Sequence, residues 1–129
     1  MAVIKHWQHY NQVEPPQWPS QFFKPQELAC RGTGELKINL KALSALEQAR
    51  QDWGMPFVIN SAYRSAIHNA RIGGAVRSRH KYGDAFDLNL LNYNIDILYK
   101  HMKKYEFNGF GFYKNFLHID MGRTRIWGK

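Results

Sequence analysis

The residues of this chain best suited to chemistry lie between Ser78 and Asp87, a stretch that follows the pattern S-x-H-x-x-G-x-A-x-D. Its five fixed letters would match at random roughly once per million positions at average residue usage. His80 and Asp87 are good zinc ligands, and a third candidate, His118, lies downstream. Two histidines and one carboxylate fill three corners of a tetrahedron and leave the fourth for water. That arrangement is typical of a catalytic zinc rather than a structural one.

The spacing of these residues also predicts how they are presented. Because side chains alternate between the two faces of a strand, His118 and Asp120 point the same way. Asp87 shares a face with Ala85 in the same manner, so two neighbouring strands can present Asp87, His118 and Asp120 to one cleft. His80 precedes that strand in a loop, and Gly83 lets the loop turn without a Cβ clash.

The rest of the sequence predicts an α+β fold, a small antiparallel sheet with flanking helices. Helices are expected from Pro25, from Asn39 to about Trp53, from Ser65 to Ile72 and from Asn94 to about Tyr105. Strands are expected over 56–61, 85–90, 110–113, 116–120 and 125–127. Residues 1–21, which include three prolines, form an N-terminal arm packed on a single domain over 22–129. On the helix ending near Tyr105, His101 is expected on a solvated face beside lysines.

Amino-acid composition limits the kinds of molecule that the protein is expected to bind. The chain has 129 residues, of which 44% are hydrophobic, enough for one globular core. Eighteen Lys and Arg against 10 Asp and Glu give a formal net charge of +8, which favours an anionic partner such as nucleic acid, a membrane surface or a cell-wall polymer. No Lys/Arg-rich run, helix-turn-helix pattern or aromatic RNA-binding motif is present, which argues against nucleic acid.

The sequence gives no sign of a membrane-spanning segment, a secretory signal or a disulfide bond. No apolar run approaches the roughly 20 residues that span a bilayer, so stable membrane insertion is not expected. The N-terminal residues lack the apolar region of a secretory signal, which predicts synthesis in the cytoplasm. Cys30 is the single cysteine, so an internal disulfide and Cys-rich zinc motifs are excluded, and a buried core thiol is expected there.

Several segments together resemble the zinc D-alanyl-D-alanine peptidases of the M15 type, which share a fold with the Hedgehog signalling domain. The resemblance covers about residues 22–127 and is most specific over 56–65, 68–75, 78–87, 109–113 and 117–120. The form with His-x-Asp after a Gly-x-Gly-x-Tyr strand is similar to a small branch common in bacteriophages and in some bacterial murein endopeptidases. It implies a Hedgehog/DD-peptidase-like fold.

The resemblance also implies roles for particular residues. His80, Asp87 and His118 match the zinc ligands, so Zn²⁺ is the expected cofactor, although manganese and cobalt stay open. Arg64 matches an arginine that faces substrate, where a guanidinium can hold a carboxylate or stabilise an oxyanion. Ser78 is expected to brace the His80 loop or a ligand. Tyr82 and Tyr113 are candidates for the cleft wall, with half-buried aromatic side chains as the alternative, and His68 is a candidate contact to substrate or to a zinc ligand.

One position departs from the family pattern. Many members place a catalytic Glu or Asp three residues before the last zinc ligand, where this chain has Asn115. We therefore hypothesise that Asp120 takes the proton from the nucleophile and returns it to the leaving amine. The alternative is that Asp120 only orients a zinc ligand and that His68 or Asp84 is the base.

The expected function is a zinc-dependent peptidase that hydrolyses peptide bonds of bacterial peptidoglycan, with a zinc-bound water as nucleophile. A phage endolysin-like murein endopeptidase fits best, acting as a monomer at the cell wall after release or carried by a phage particle. One alternative is a D-alanyl-D-alanine carboxypeptidase or dipeptidase acting on free stem peptides. The other is a non-catalytic wall-binding domain of the same fold, which Asn115 keeps open.

Overall fold

The computed structural model describes residues 3–129, so the first two residues of the predicted N-terminal arm lie outside the described residues. Over this described range, seven strands form one five-stranded sheet and one two-stranded sheet. In chain order they are β1 (Ile4–Trp7), β2 (Leu36–Asn39), β3 (Ile59–Ser61), β4 (Ala85–Asn89), β5 (Gly109–Phe112), β6 (Phe116–Asp120) and β7 (Arg125–Trp127). The larger sheet has the order β3-β4-β6-β5-β7 and is antiparallel except for the β5–β7 pair, which is parallel.

In the part of the chain that the structure describes, the α-helices that accompany the sheets are α1 (Pro25–Leu28), α2 (Leu40–Trp53), α3 (Ala66–Arg71) and α4 (Ile95–Met102). Short 3₁₀ turns cover Tyr10–Gln12, Pro15–Gln17 and Arg79–Tyr82. The ends of α2 are those predicted, because the Asn39 side chain accepts a hydrogen bond from the Ala42 amide at 3.1 Å and Gly54 closes the helix with φ of 79°. Within residues 3–129, no helix combines the length and the apolar character needed to cross a membrane.

The predicted α+β class, a small sheet with flanking helices, is confirmed by this architecture. The apolar core fills one side of the larger sheet. Phe86 and Leu88 of β4 and Leu117 and Ile119 of β6 are almost fully buried there, and α4 packs against β6 with Leu98 inward. The alternate residues of β4 and β6 face the other side of the sheet, where Asp87 and His118 lie.

The N-terminal segment is more ordered than an extended arm. Strand β1 pairs antiparallel with β2, with Ile4 opposite Asn39 and Trp7 opposite Leu36. The sequence prediction assigned no strand to either segment. Residues 36–39 do alternate between buried and half-buried side chains, and this period of two is the signal that identifies a half-buried strand.

His101 corrects another expectation. It was predicted on a solvated face, but it is 9% exposed, and its Nε2 lies 2.8 Å from the Ala49 carbonyl oxygen. Its ring centroid is 4.9 Å from that of Trp53. His101 faces α2 because α4 packs against α2 on this side, while the neighbouring lysines face solvent. The helix also ends at Met102, short of the predicted Tyr105.

Candidate metal centre

Three side chains meet on the open side of the larger sheet. His80 Nε2 lies 3.1 Å from Asp87 Oδ1, and His118 Nδ1 lies 2.9 Å from the same oxygen. The three candidate ligand atoms all lie within 4.8 Å of one another, and all three residues are buried. The residues predicted as metal ligands from their spacing are therefore brought together.

Strand register accounts for two of these positions. Asp87 of β4 is directly opposite His118 of β6, so the antiparallel ladder itself sets the distance between carboxylate and imidazole. His80 comes from the 3₁₀ turn before β4, which is capped by the Ser78 hydroxyl accepting from the His80 amide at 3.3 Å. Gly83 ends that turn with φ of 77°, and a Cβ there would lie 2.7 Å from the Lys37 carbonyl oxygen.

The hydrogen bonds of the two imidazoles fix which nitrogen faces the centre. His80 Nδ1 lies 2.6 Å from the Ala62 carbonyl oxygen, which accepts only, so Nδ1 carries the hydrogen and Nε2 keeps its lone pair. His118 Nε2 lies 2.7 Å from Asp120 Oδ2, so this nitrogen donates and Nδ1 is turned to the centre. Both outer contacts are of the kind that orients metal-binding histidines.

Electrostatics at the centre call for a cation. Burial alone would raise the pKa of Asp87, but its close contacts with the His118 and His80 imidazoles, which can share a proton with it, outweigh burial and lower the pKa to about 2. Burial would likewise lower the pKa of His118, yet the hydrogen bonds to Asp120 and Asp87 raise it. One carboxylate oxygen and two imidazole lone pairs thus face the same point, and a proton or a metal ion must lie between them.

The arrangement fits zinc. Zinc bound at about 2.0–2.1 Å by tetrahedral nitrogen and oxygen ligands keeps those ligands roughly 3.3 Å apart, close to the 3.1 Å and 2.9 Å contacts here. Two neutral imidazoles and one ionised carboxylate also match the donor types that zinc prefers. His80, Asp87 and His118 are the residues that would hold it, with one position left open.

Asp120 points the same way as His118, as predicted, but it does not line the cleft, which corrects the expectation that both are presented there. It is fully buried behind the His118 ring and accepts from Arg125 at 2.9 and 2.7 Å and from the Gly122 amide at 2.9 Å. Burial raises its pKa, but His118, Arg125 and the Gly122 amide together lower it well below its usual range. A carboxylate with four donors and no path to substrate is suited to orienting His118 rather than to accepting a proton.

Arg64 lies beside the centre, after β3. Its NH2 is 3.8 Å from Asp87 Oδ2, its Nε donates to the Ser61 hydroxyl at 3.4 Å, and its NH1 donates to Asn69 Oδ1 at 3.2 Å. Asn69 is buried on α3 and donates to the Ala75 carbonyl oxygen at 2.8 Å. The guanidinium is thus held at the edge of the metal group, with 18% of its side chain exposed.

A cleft of about 480 Å³ opens over these residues. Four arginines and three aromatic side chains dominate its walls, and the lining comprises Arg64, Ala75, Arg77, Ser78, Arg79, His80, Asp87, Tyr113, Phe116, His118, Arg125 and Trp127. Sequence reasoning did not select Asn69, Arg77, Arg125 or Trp127 as site residues. Arg125 and Trp127 reach the cleft through the parallel β5–β7 pairing, which no local pattern in the sequence indicates.

Of the remaining candidates from the sequence, some line the cleft and others lie outside it. Ser78 and Tyr113 line the cleft, whereas Tyr82, 50% exposed, lies outside the lining with its ring 4.5 Å from the Arg79 guanidinium. His68 packs over Gly32, where a Cβ would lie 2.0 Å from His68 Nδ1, and does not line the cleft. Asp84 forms an ion pair with Arg79 and is also outside it. Cys30 is buried with its sulfur 3.6 Å from the Ser65 hydroxyl, as a core thiol.

An α+β fold that brings two histidines and a carboxylate together beside a fixed arginine has the features of a zinc metallopeptidase. A family model described as Peptidase M15 matches residues 20–120, and the chain belongs to this family. Over 95 residues, it is 28% identical to the zinc D-Ala-D-Ala carboxypeptidase of Streptomyces albus G. That match covers 70% of this chain and 36% of the relative's length. The predictions of the family, of the metallopeptidase class and of zinc as cofactor are confirmed.

Proposed function

We propose that the protein is a zinc-dependent peptidase that hydrolyses peptide bonds of bacterial peptidoglycan, as an endolysin-like murein endopeptidase. The observation that carries the proposal is the meeting of three acceptor atoms at one point, His80 Nε2, Asp87 Oδ1 and His118 Nδ1, at the floor of an arginine-lined cleft. Zinc bound there supplies a Lewis acid that polarises a carbonyl and makes hydroxide available near neutral pH.

The chain's own residues position the reaction. Arg64, fixed by Ser61 and Asn69, offers N–H donors to the carbonyl oxygen as negative charge develops on it. Asp120 holds the His118 ring through Nε2 and so keeps Nδ1 directed to the metal position. We assign Asp120 this positioning role, which is the alternative left open by the sequence.

Room for a long substrate supports an endopeptidase. Asn89 is two residues after Asp87 on β4 and faces the same side of the sheet. It borders a second depression of about 570 Å³, which Asn60, Lys114 and Asn115 also line. Tyr113 and Phe116 of the cleft flank Lys114 and Asn115 in sequence, so polar surface continues past the end of the cleft. A peptide can therefore extend beyond the cleaved bond at this end.

Charge supports an anionic target. The formal net charge of +8 and the cleft arginines favour approach to a wall polymer that carries carboxylates. This attraction between exposed charges weakens as salt shortens the Debye length.

A D-alanyl-D-alanine carboxypeptidase is the second candidate, because the Streptomyces relative carries that name and the cleft holds several arginines. Arginine forks bind a terminal carboxylate bidentately, which is what recognition of a free peptide end requires. Of these arginines, Arg79 pairs with Asp84 and Arg125 with Asp120, which leaves Arg64 and the exposed Arg77 better placed to bind it.

Digestion of purified sacculi tests the proposal and separates the two candidates. The zinc-loaded protein is incubated with sacculi and, in parallel, with a synthetic stem peptide ending in D-Ala-D-Ala, each with and without chelator. Release of cross-link or stem fragments, identified by mass and abolished by chelator, supports the endopeptidase. Loss of terminal D-alanine from the free peptide with intact sacculi favours the carboxypeptidase. No product from either substrate would overturn both.

A further inference from the structure

The cleft lacks a second carboxylate, which raises the question of which group gives a proton to the leaving nitrogen. Among the described residues that line it, Asp87 is the one acidic side chain, and it belongs to the metal group. The arginines of the walls cannot release a proton in a protein. Asn115 is exposed, lines the second depression rather than the cleft, and has no proton to give. The lining offers two hydroxyls, those of Ser78 and Tyr113, and Tyr113 is the more acidic of these side-chain types.

Tyr113 is held in place by aromatic neighbours. Its ring stacks on Phe116 with centroids 4.3 Å apart and an interplanar angle of 12°. Trp127 Nε1 donates a hydrogen bond to the Tyr113 hydroxyl oxygen at 2.9 Å. Because the oxygen accepts from the indole, the hydroxyl hydrogen is free to point to another acceptor. The side chain is 43% exposed, so that acceptor can be a bound molecule.

Trp127 is itself fixed beside the metal group. Its ring lies 5.2 Å from that of His118 and 4.9 Å from the Arg125 guanidinium. Gly111 is directly opposite His118 in the sheet, and a Cβ at Gly111 would lie 2.4 Å from the indole. The glycine therefore gives the indole the space it needs to reach across β5.

The sheet order places this pair on the wall opposite Arg64. Arg64 follows β3 at one edge, the ligands Asp87 and His118 lie on the central strands, and Tyr113 and Trp127 lie on the side of β5 and β7. A peptide bond that crosses the cleft with its carbonyl oxygen toward Arg64 places its nitrogen toward the wall of Tyr113 and Trp127.

We infer that Tyr113 is a catalytic residue that protonates the leaving nitrogen, with Trp127 as its positioning residue. This inference rests on the proposed peptidase function. A water oxygen adds to the carbonyl carbon, and the carbon–nitrogen bond then breaks. The nitrogen keeps the electron pair of that bond and takes the phenolic proton. Both protons of the water stay on the oxygens until the bond breaks, and the carboxyl group that forms then gives one of them to the phenolate, which the Trp127 N–H stabilises in the meantime, so Tyr113 is regenerated.

Tyr113→Phe keeps the ring stack and removes the hydroxyl. Two substrates separate the roles: a synthetic peptide carrying the bond that sacculus digestion identifies, and an aryl ester of the same acyl portion, whose phenolate leaves without a proton. General acid catalysis contributes about 10²–10⁴-fold, so kcat for the peptide should fall by at least about 100-fold while kcat for the ester falls less than about threefold. Trp127→Phe should lower the peptide rate about tenfold and spare the ester.

Tyr105→Phe is the matched control, because it removes a hydroxyl that donates to Asp52 at 2.6 Å, outside the cleft lining. Its rates should equal those of the wild type, and all variants should bind one zinc per chain and melt cooperatively. Equal losses on peptide and ester, or no loss on the peptide, would overturn the inference while leaving the peptidase function intact. Absence of turnover by the wild type would overturn both.

Discussion

The floor of the cleft and its walls differ in how firmly the fold holds them. The floor is the metal group of His80, Asp87 and His118, in which each residue is at most 7% exposed and each imidazole has an outer hydrogen-bond partner. The walls include Tyr113, which is 43% exposed, and Arg77, which is exposed. Asp87 and His118 of the floor are fixed by strand register and His80 by its capped turn, whereas Tyr113 and Arg77 of the walls are open to a substrate.

This difference predicts which substitutions should abolish zinc binding and which should reduce turnover alone. A buried group with every partner in place is costly to disturb, because removal of one member leaves the others unpaired. Replacing a half-exposed side chain costs little stability, and its effect is seen only when substrate binds. Floor variants should therefore lose zinc together with activity, and wall variants should lose activity alone.

The largest effect is expected from Asp87→Asn. The amide removes the one anionic ligand and leaves two imidazoles without a counter-charge, so zinc binding should be lost and turnover should fall by more than about 1,000-fold. Zinc content by mass spectrometry of the native protein and release of sacculus fragments measure both. Asp52→Asn, at an exposed carboxylate on α2, is the control and should match the wild type. Full zinc occupancy in Asp87→Asn would break the floor assignment.

Arg64→Lys tests the wall beside the floor. Lysine keeps the charge but not the fork that donates from several nitrogens, so kcat should fall about 10²–10³-fold. Zinc affinity should change little, since the guanidinium is 3.8 Å from Asp87 Oδ2 and does not ligate. The exposed Arg71→Lys on α3 serves as control. Loss of zinc along with turnover would show that Arg64 helps to hold the metal group, as the floor residues do.

Asp120→Asn tests the residue behind the floor. The loss of the charged acceptor for His118 should weaken zinc binding about 10–100-fold and destabilise the protein by about 1–3 kcal/mol. Competition with a zinc chelator and thermal unfolding give the two numbers. Unchanged zinc affinity with turnover abolished would instead support the proton-accepting role that the sequence first suggested.

The pH dependence of zinc binding follows from the same pair. Since the folded pKa of His118 is raised, zinc must displace a proton from it, and affinity should fall about tenfold per pH unit below that pKa. The metal-free protein should behave oppositely. A raised histidine pKa adds stability that is complete below the unfolded value near 6.5 and is lost as pH rises through the folded pKa. Calorimetry of zinc binding and unfolding of the metal-free protein between pH 5 and 8 check both directions.

The same contrast explains how much the sequence could predict. The floor was found because its spacing is local: His80 and Asp87 share one motif, and strand alternation gives the face of His118. The contacts of Asp120 were missed because Arg125 returns on β7, two strands from β6, in a parallel pairing with β5 that no periodicity reveals. The pairing of β1 with β2 and the burial of His101 were missed because each depends on a partner far along the chain, although the alternation over 36–39 does mark β2 locally.

The smallest effect is expected from Asn115→Glu, which places a carboxylate three residues before His118. In this chain Asn115 is exposed, directly precedes β6, and lines the second depression, while alternation directs Phe116 and His118 to the cleft. The new carboxylate should not reach the metal group, so kcat should stay within about twofold and stability within about 0.5 kcal/mol. Asn115→Gln controls for side-chain length. A gain of tenfold or more for Glu but not Gln would show that the 113–116 turn can swing a carboxylate into the cleft, and the boundary between a rigid floor and adaptable walls would then have to include a mobile segment next to His118.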